Sequence, residues 1–142
     1  MMSRLIVAEP VSAYERRPPL VIDASVLAAA LFAEPGQDEA LAWMRGRALC
    51  APHLIDCEIA SVAIRKLRLR TVPEAGAETI LGAFGQLDLE RFAVDAAALA
   101  QLATRHRITA HDAAYLWLAA ELQAPLATFD AKLGAAARAH LA

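Results

Sequence analysis

The sequence has little cysteine and no long segment without charged residues. Its two cysteines, Cys50 and Cys57, show neither a CxxC spacing nor a histidine partner pattern. This excludes a disulfide framework and a zinc site, and it indicates two small buried side chains in a reducing compartment. The longest uncharged run, residues 24–33, is too short to cross a bilayer. A run of four apolar residues ends at Glu9, which is too short for a signal peptide. We therefore expect a soluble, cytoplasmic protein without membrane association.

Neither sign of charge is in large excess. The 14 Lys and Arg against 16 Asp and Glu give a net charge of −2, which excludes a nucleic-acid binder held by bulk positive charge. A nucleic-acid substrate would need a local basic strip or metal ions. Hydrophobic residues make up 58% of the chain, and 35 of them are alanine, so the content of large apolar residues is ordinary for a globular protein. The length of 142 residues suits one domain.

Short apolar strands alternate with helices along most of the chain. Residues 1–19 are interpreted as a leader or arm, and residues 20–142 as the domain. A short strand at residues 5–8, a disordered tail and a start-codon artefact stay open for the leader. The pattern predicts strands at residues 20–23, 48–51, 87–94 and 125–129, and helices at residues 24–33, 37–45, 53–70, 74–84, 95–106, 109–122 and 130–141. This alternation predicts an α/β domain with a mainly parallel sheet.

Two acids directly follow apolar strands. Asp23 ends Leu-Val-Ile-Asp, and Asp130 ends Leu-Ala-Thr-Phe-Asp. Ligands of open parallel sheets bind beyond the carboxyl ends of the strands, which makes both acids candidate site residues. Each acid also suits the N-cap of the helix that follows, so a purely structural role stays open.

Two further acids lie at unusual places on helices. Glu58 lies within an apolar stripe formed by Leu54, Ile55, Ile59, Val62 and Leu69, whereas Asp56 points away and is the expected solvated acid. A carboxylate on a buried face is costly unless it is paired, here with Arg65, or holds a metal. Asp112 forms a T-x-x-D capping pattern with Thr109, a role compatible with metal binding because a helix N-terminus favours an ionised carboxylate.

Convergence of these four acids at one sheet edge would be unfavourable without a cation. At about 4 Å and an effective dielectric near 20, each pair of like charges costs about 4 kcal/mol. Oxygen ligands favour Mg²⁺ or Mn²⁺ over zinc, and the usual chemistry of such a site is phosphodiester hydrolysis.

The four segments that carry these acids resemble PIN-domain nucleases, and in particular VapC-type toxins of type II toxin–antitoxin systems. They are Val-Ile-Asp23-Ala-Ser, Glu58 in a long helix, Thr109-Ala-His-Asp112-Ala-Ala-Tyr-Leu and Thr128-Phe-Asp130-Ala-Lys-Leu. The resemblance covers about residues 20–140. It implies a three-layer α/β/α fold and a Mg²⁺- or Mn²⁺-dependent endoribonuclease (a hydrolase of RNA phosphodiester bonds) that acts as a homodimer and inhibits translation as a toxin.

The resemblance also implies roles for single residues and partners. Asp23, Glu58, Asp112 and Asp130 would be the catalytic and metal-binding acids, and Ser25 and Thr128 the hydroxyls that orient them. A cognate antitoxin would cover the site, and operator DNA would be contacted only through the antitoxin. The chain departs from the family pattern at His111, which suits either a substrate contact or a neutral exposed side chain. A final edge strand is expected to be shortened or absent.

One dense basic segment, residues 65–70, follows Glu58 on the same helix. Arg65 and Arg68 lie on the side of Glu58 and are candidate RNA contacts, while Lys66 and Arg70 suit a solvated helix C-terminus. Two alternative functions stay open. A catalytically silent PIN-like module would bind RNA or a protein, and a metal phosphatase is disfavoured because the first strand lacks a D-x-D pair.

Overall fold

A computed structural model describes residues 17–142 of the protein. The possible strand at residues 5–8 and most of the predicted leader lie outside the described residues. The elements follow the predicted order, and in chain order they are β1 (Pro19–Ile22), α1 (Ala24–Leu31), α2 (Gln37–Met44), β2 (Ala48–Pro52), α3 (Leu54–Arg68), α4 (Glu74–Gln86), β3 (Leu89–Phe92), α5 (Ala96–His106), α6 (Ala110–Leu122), β4 (Leu126–Ala127) and α7 (Ala131–Leu141).

The four described strands form one parallel sheet in the order β3-β2-β1-β4. Helices α1 to α4 pack on one another, and α6 packs on both α5 and α7 as well as on the sheet. Strand β1 lies inside the sheet, and Leu20, Val21 and Ile22 are fully buried there. Such a continuous apolar run is typical of a parallel strand covered on both faces. The predicted α/β class with a parallel central sheet flanked by helices is confirmed.

The sheet edges are shorter than the sequence pattern indicates. Strand β3 ends at Phe92, and β4 contains only Leu126 and Ala127. Thr128 and the backbone amide of Phe129 instead make hydrogen bonds to side chains that follow β1, and this takes them out of the strand ladder. Within residues 17–142, β4 is an edge strand and no strand follows α7.

Three local predictions are wrong. Leu69 is not part of the buried stripe of α3, because it follows the last helical residue and is 67% exposed. Cys57 is exposed, since it lies two residues from both Ile55 and Ile59 on the helix and faces away from them, whereas Cys50 is buried as expected. Asp95 is expected from the sequence to cap the helix that it begins, and it occupies the N-cap of α5, but its side chain makes no capping hydrogen bond.

Helix α6 runs through the centre of the domain. It contacts β1, β2 and β4 as well as α5 and α7, and six of its 13 residues are buried. Its first turn therefore lies next to the chain segments that follow the strands. Among residues 17–142, no helix has both the length and the apolar character that a membrane span needs.

Candidate active site

Asp23 is the one buried charged or polar residue of the described chain, with 6% of its surface exposed. It follows β1 directly and caps α1, since its Oδ1 accepts a hydrogen bond from the backbone amide of Val26 (3.1 Å). Ser25 Oγ donates to the same oxygen (2.6 Å), and Thr128 Oγ1 donates to Oδ2. Burial raises the pKa of Asp23, and these hydrogen bonds partly oppose the increase. Asp23 therefore caps α1 as expected, and in addition each of its two oxygens accepts a hydrogen bond from a hydroxyl group.

Ser25 and Thr128 join the ends of β1 and β4. The Ser25 hydroxyl accepts from the backbone amide of Phe129 (2.9 Å), and the Thr128 hydroxyl accepts from the amide of Asp130 (2.9 Å). Each hydroxyl thus donates to Asp23 and accepts from the segment after β4. This arrangement holds the Asp23 carboxylate in one orientation and keeps Asp130 close to it.

Glu58 is half-buried on α3 and makes no ion pair with Arg65. Its Oε1 accepts a hydrogen bond from the hydroxyl of Tyr115 on α6, and no described salt bridge involves it. Burial raises the pKa of Glu58, and the charges of Asp23 and Asp112 raise it further, whereas Tyr115 and His111 lower it. The alternative of a structural salt bridge with Arg65 is thus not observed.

Asp112 and Asp130 lie in the first turn of α6 and at the N-cap of α7. Thr109 caps α6 by accepting from the backbone amide of Asp112 (3.1 Å), and Asp130 Oδ1 accepts from the amides of Lys132 (2.8 Å) and Leu133 (3.0 Å). Burial raises the pKa of Asp112, and so do the nearby charges of Asp130 and Asp23. Asp130 itself is exposed.

Asp112 lies within electrostatic reach of the other three acids at the carboxyl edge of the sheet. Asp23 and Asp112 each raise the pKa of Glu58, and Asp130 and Asp23 raise the pKa of Asp112. As the side chains stand, no three His, Cys, Asp or Glu residues between positions 17 and 142 are close enough together to enclose a metal ion. The arrangement is therefore a shared acidic edge in which the carboxylates of Asp23, Glu58 and Asp130 each accept hydrogen bonds from different donors.

Comparison with known families assigns the chain. A family model of the PIN domain matches residues 20–139. The chain belongs to the PIN domain family. Its structure is similar to the crystal structure of PAE2754 from Pyrobaculum aerophilum, with a TM-score of 0.68 and 22% sequence identity over 88% of each chain. At that identity, the likeness supports the fold alone. No curated protein matches the sequence.

PIN domains are generally metal-dependent nucleases, and PIN nucleases bind RNA. The donor atoms of this PIN domain fit a hard divalent cation, because the four acids and the two hydroxyls at the edge offer oxygen only. Burial raises the pKa of Asp23, Glu58 and Asp112 and so disfavours their charged forms, a cost that a bound cation would offset. The residues present are thus compatible with Mg²⁺ or Mn²⁺ at this edge.

Tyr115 is a site residue that the sequence analysis did not single out. It lies one turn after Asp112 on α6, so both side chains lie on one side of that helix. A tyrosine on a buried helix is usually part of the core, and its partner Glu58 lies 57 residues away. Only the i, i+3 spacing from a candidate acid could have drawn attention to it.

The basic segment divides into paired and unpaired side chains. Lys66 contacts Glu34 (3.2 Å between Nζ and Oε2) and lies over the ring of Phe32. Arg65 and Arg68 are exposed and line a shallow groove on α3 together with Ser61, Ile64 and Leu69. The PIN domain therefore has a basic, partly apolar surface that follows Glu58 along the same helix.

Proposed function

We propose that this PIN domain is a Mg²⁺- or Mn²⁺-dependent endoribonuclease, and that it acts as the toxin of a toxin–antitoxin pair. The observation that carries the proposal is the acidic edge: four carboxylates from distant parts of the chain lie where β1 and β4 end and where α6 and α7 begin. None of the four forms an ion pair among residues 17–142. Proteins usually pair acids that serve stability alone, so this arrangement favours a cation-binding role.

The protein residues would orient the cation ligands and the substrate. Asp23, Glu58, Asp112 and Asp130 would hold one or two divalent cations, and Ser25 and Thr128 would keep Asp23 in its binding orientation. When bound there, Mg²⁺ or Mn²⁺ supplies the Lewis acidity that phosphodiester hydrolysis needs. The N-terminus of α6, next to Asp112, adds a positive potential that favours both ionised carboxylates and phosphate oxygens.

Exposed basic residues on α3 and α6 support RNA as the substrate. Arg65 and Arg68 on α3 are exposed, and exposed His111 is close enough to lower the pKa of both Glu58 and Asp112. We propose that the two arginines contact RNA phosphates on the way to the acids. His111 would lie next to the bound strand.

The toxin role rests on the resemblance of the acid-bearing motifs to VapC-type proteins. We expect a cytoplasmic homodimer that cleaves RNA and thereby inhibits translation. A cognate antitoxin would neutralise it by covering the acidic edge and would itself contact operator DNA. Induced expression should arrest growth, and expression of the Asp112→Asn variant should not.

The decisive experiment incubates the purified protein with total RNA in the presence of Mg²⁺, Mn²⁺ or a chelator. We expect cleavage with either cation and none with the chelator. Asp112→Asn should abolish cleavage while the circular dichroism spectrum stays unchanged, because the Thr109 cap uses the backbone amide of residue 112. Equal cleavage by Asp112→Asn would disprove the mechanism.

A second candidate function is a catalytically silent module that binds RNA or a protein. The separation of the side chains at the acidic edge favours it, since no three of the described His, Cys, Asp and Glu residues form a closed metal-binding group. Calorimetric titration with Mn²⁺ distinguishes the two functions. A nuclease should show binding that depends on the four acids, whereas a silent module should show none.

A further inference from the structure

Tyr115 connects two helices of the candidate site, α6 and α3. Its side chain is 1% exposed within α6, and its hydroxyl donates a hydrogen bond to Glu58 Oε1 on α3. Among residues 17–142, this hydroxyl is the one hydrogen-bond partner of the Glu58 side chain. The ring is fixed by the surrounding core, so the position of its oxygen is determined by the packing of α6 against the sheet.

We propose that Tyr115 is a positioning residue that fixes the Glu58 carboxylate beside Asp23 and Asp112, so that a bound divalent cation meets a pre-oriented oxygen. This inference rests on the proposed function. The contact engages Oε1 and leaves Oε2 without a hydrogen bond to any of the described residues. A glutamate side chain loses up to about 2 kcal/mol of rotamer entropy when it is ordered, and the Tyr115 contact imposes this order before the cation binds. Outer hydrogen-bond partners of metal ligands typically change metal affinity about 10- to 100-fold.

A purely structural role is the competing explanation. A buried tyrosine hydroxyl needs an acceptor, and Glu58 could serve only as that acceptor. In that case the loss of the hydroxyl would change the stability of the fold and leave cation affinity the same. The two explanations therefore predict different cation affinities for a folded variant that lacks the Tyr115 hydroxyl.

The test measures Mn²⁺ affinity by calorimetry for the full chain and for Tyr115→Phe, which keeps the ring and removes the hydroxyl. We expect affinity to fall about 10- to 100-fold. The matched control is Leu118→Val, which shortens a buried side chain one turn further along α6 and makes no hydrogen bond to the site. Its affinity should stay within about twofold of the unsubstituted protein, since the substitution removes no hydrogen bond from the site. Thermal unfolding of each variant checks that it is folded, and Tyr115→Met, which also lacks a hydroxyl, replaces Tyr115→Phe if that variant does not fold.

Each result decides the question. A loss in Tyr115→Phe but not in Leu118→Val supports the positioning role. Unchanged affinity in Tyr115→Phe, or an equal loss in Leu118→Val, overturns that role while the proposed nuclease function remains. If the unsubstituted protein binds no Mn²⁺ and cuts no RNA, the proposed function fails and this inference fails with it.

Discussion

Asp56 and Glu58 lie two residues apart on α3 and have opposite environments. Arg91 on β3 donates two hydrogen bonds to Asp56, from Nε to Oδ2 (2.6 Å) and from Nη2 to Oδ1 (2.8 Å). These bonds lower the pKa of Asp56. Glu58 faces other acids and receives one hydrogen bond from a neutral hydroxyl, and burial raises its pKa. The same chemical group is thus paired on one side of the helix and unpaired on the other.

The difference teaches how to separate structural acids from functional ones in this fold. The Asp56–Arg91 pair is largely exposed, and such pairs contribute about 0.2–1 kcal/mol to stability. The environment of Glu58 opposes its ionisation, so the charge is unfavourable for folding, which is what the proposed cation-binding role predicts for this acid. The acid with a good partner therefore serves the fold, and we assign function to the acid without one.

The largest expected contrast between the two acids is in catalysis. Glu58→Gln should lower RNA cleavage by about 1,000-fold or more, equivalent to about 4 kcal/mol of lost transition-state stabilisation. Asp56→Asn should cleave RNA at the unsubstituted rate, because Asp56 pairs with Arg91 on the outer side of the helix. Initial rates of cleavage of a labelled single-stranded RNA check this. Equal cleavage rates for the two variants would show that Glu58 is no more important for catalysis than Asp56.

Cation binding should also separate the two acids. At a Mn²⁺ concentration of about 100 times the dissociation constant, the cation should stabilise the folded protein by about 2.7 kcal/mol. For a chain of this size the midpoint temperature of thermal unfolding should rise by about 5–10 °C. Asp56→Asn should keep this shift, and Glu58→Gln should lose most of it. Thermal unfolding followed by circular dichroism, with and without Mn²⁺, provides the measurement, and an undiminished shift in Glu58→Gln would contradict it.

The same contrast of paired and unpaired side chains applies to the cations of α3. Replacing Arg65 and Arg68 with alanine should weaken RNA binding and reduce the slope of log affinity against log salt by about 1.4, since each phosphate contact to a single strand contributes about 0.7. Lys66→Ala should leave the slope unchanged, because Lys66 is paired with Glu34. The measurement is RNA binding by the Asp112→Asn protein across a salt series. If only Lys66→Ala changed the slope of log affinity against log salt, the RNA would not contact Arg65 and Arg68.

The smallest expected effect is an opposite dependence of stability on pH. The raised pKa of Glu58 means that its contribution to the free energy of unfolding is present below about pH 4 and is lost as pH rises through the raised value. The lowered pKa of Asp56 means that its contribution is present above about pH 4 and is lost as pH falls through the lowered value. Without added cation, Glu58→Gln should therefore be more stable than the unsubstituted protein at neutral pH, and Asp56→Asn less stable.

Urea unfolding between pH 3 and pH 8 in the presence of a chelator measures this dependence. The difference between each variant and the unsubstituted protein should be on the order of 1 kcal/mol or less, because both side chains are partly solvated. If both variants were more stable than the unsubstituted protein at neutral pH, or both less stable, the environments of Glu58 and Asp56 would not differ in the way described.

Much of the fold and of the candidate site could be predicted from local sequence patterns. The run Leu20 to Ile22 followed by Asp23 indicates a buried strand that ends in an acid, and each later strand and helix has a comparable apolar pattern with capping residues. Prediction was weakest at the ends of elements. Strand β4 is short because of contacts with distant residues, and Leu69 is exposed because α3 ends before it. A periodic apolar pattern indicates neither.

The sequence by itself determined the order of the elements, the parallel α/β class and the identity of the acids at the ends of strands. These features follow from short-range apolar periodicity and capping, which neighbouring residues encode. Only the tertiary structure decided which acids are paired and which are not. The partners of Asp56 and Glu58 are Arg91 and Tyr115, and they lie 35 and 57 residues away. Such contacts arise when helices pack on the sheet, because packing brings together side chains whose separation along the chain carries no local signal.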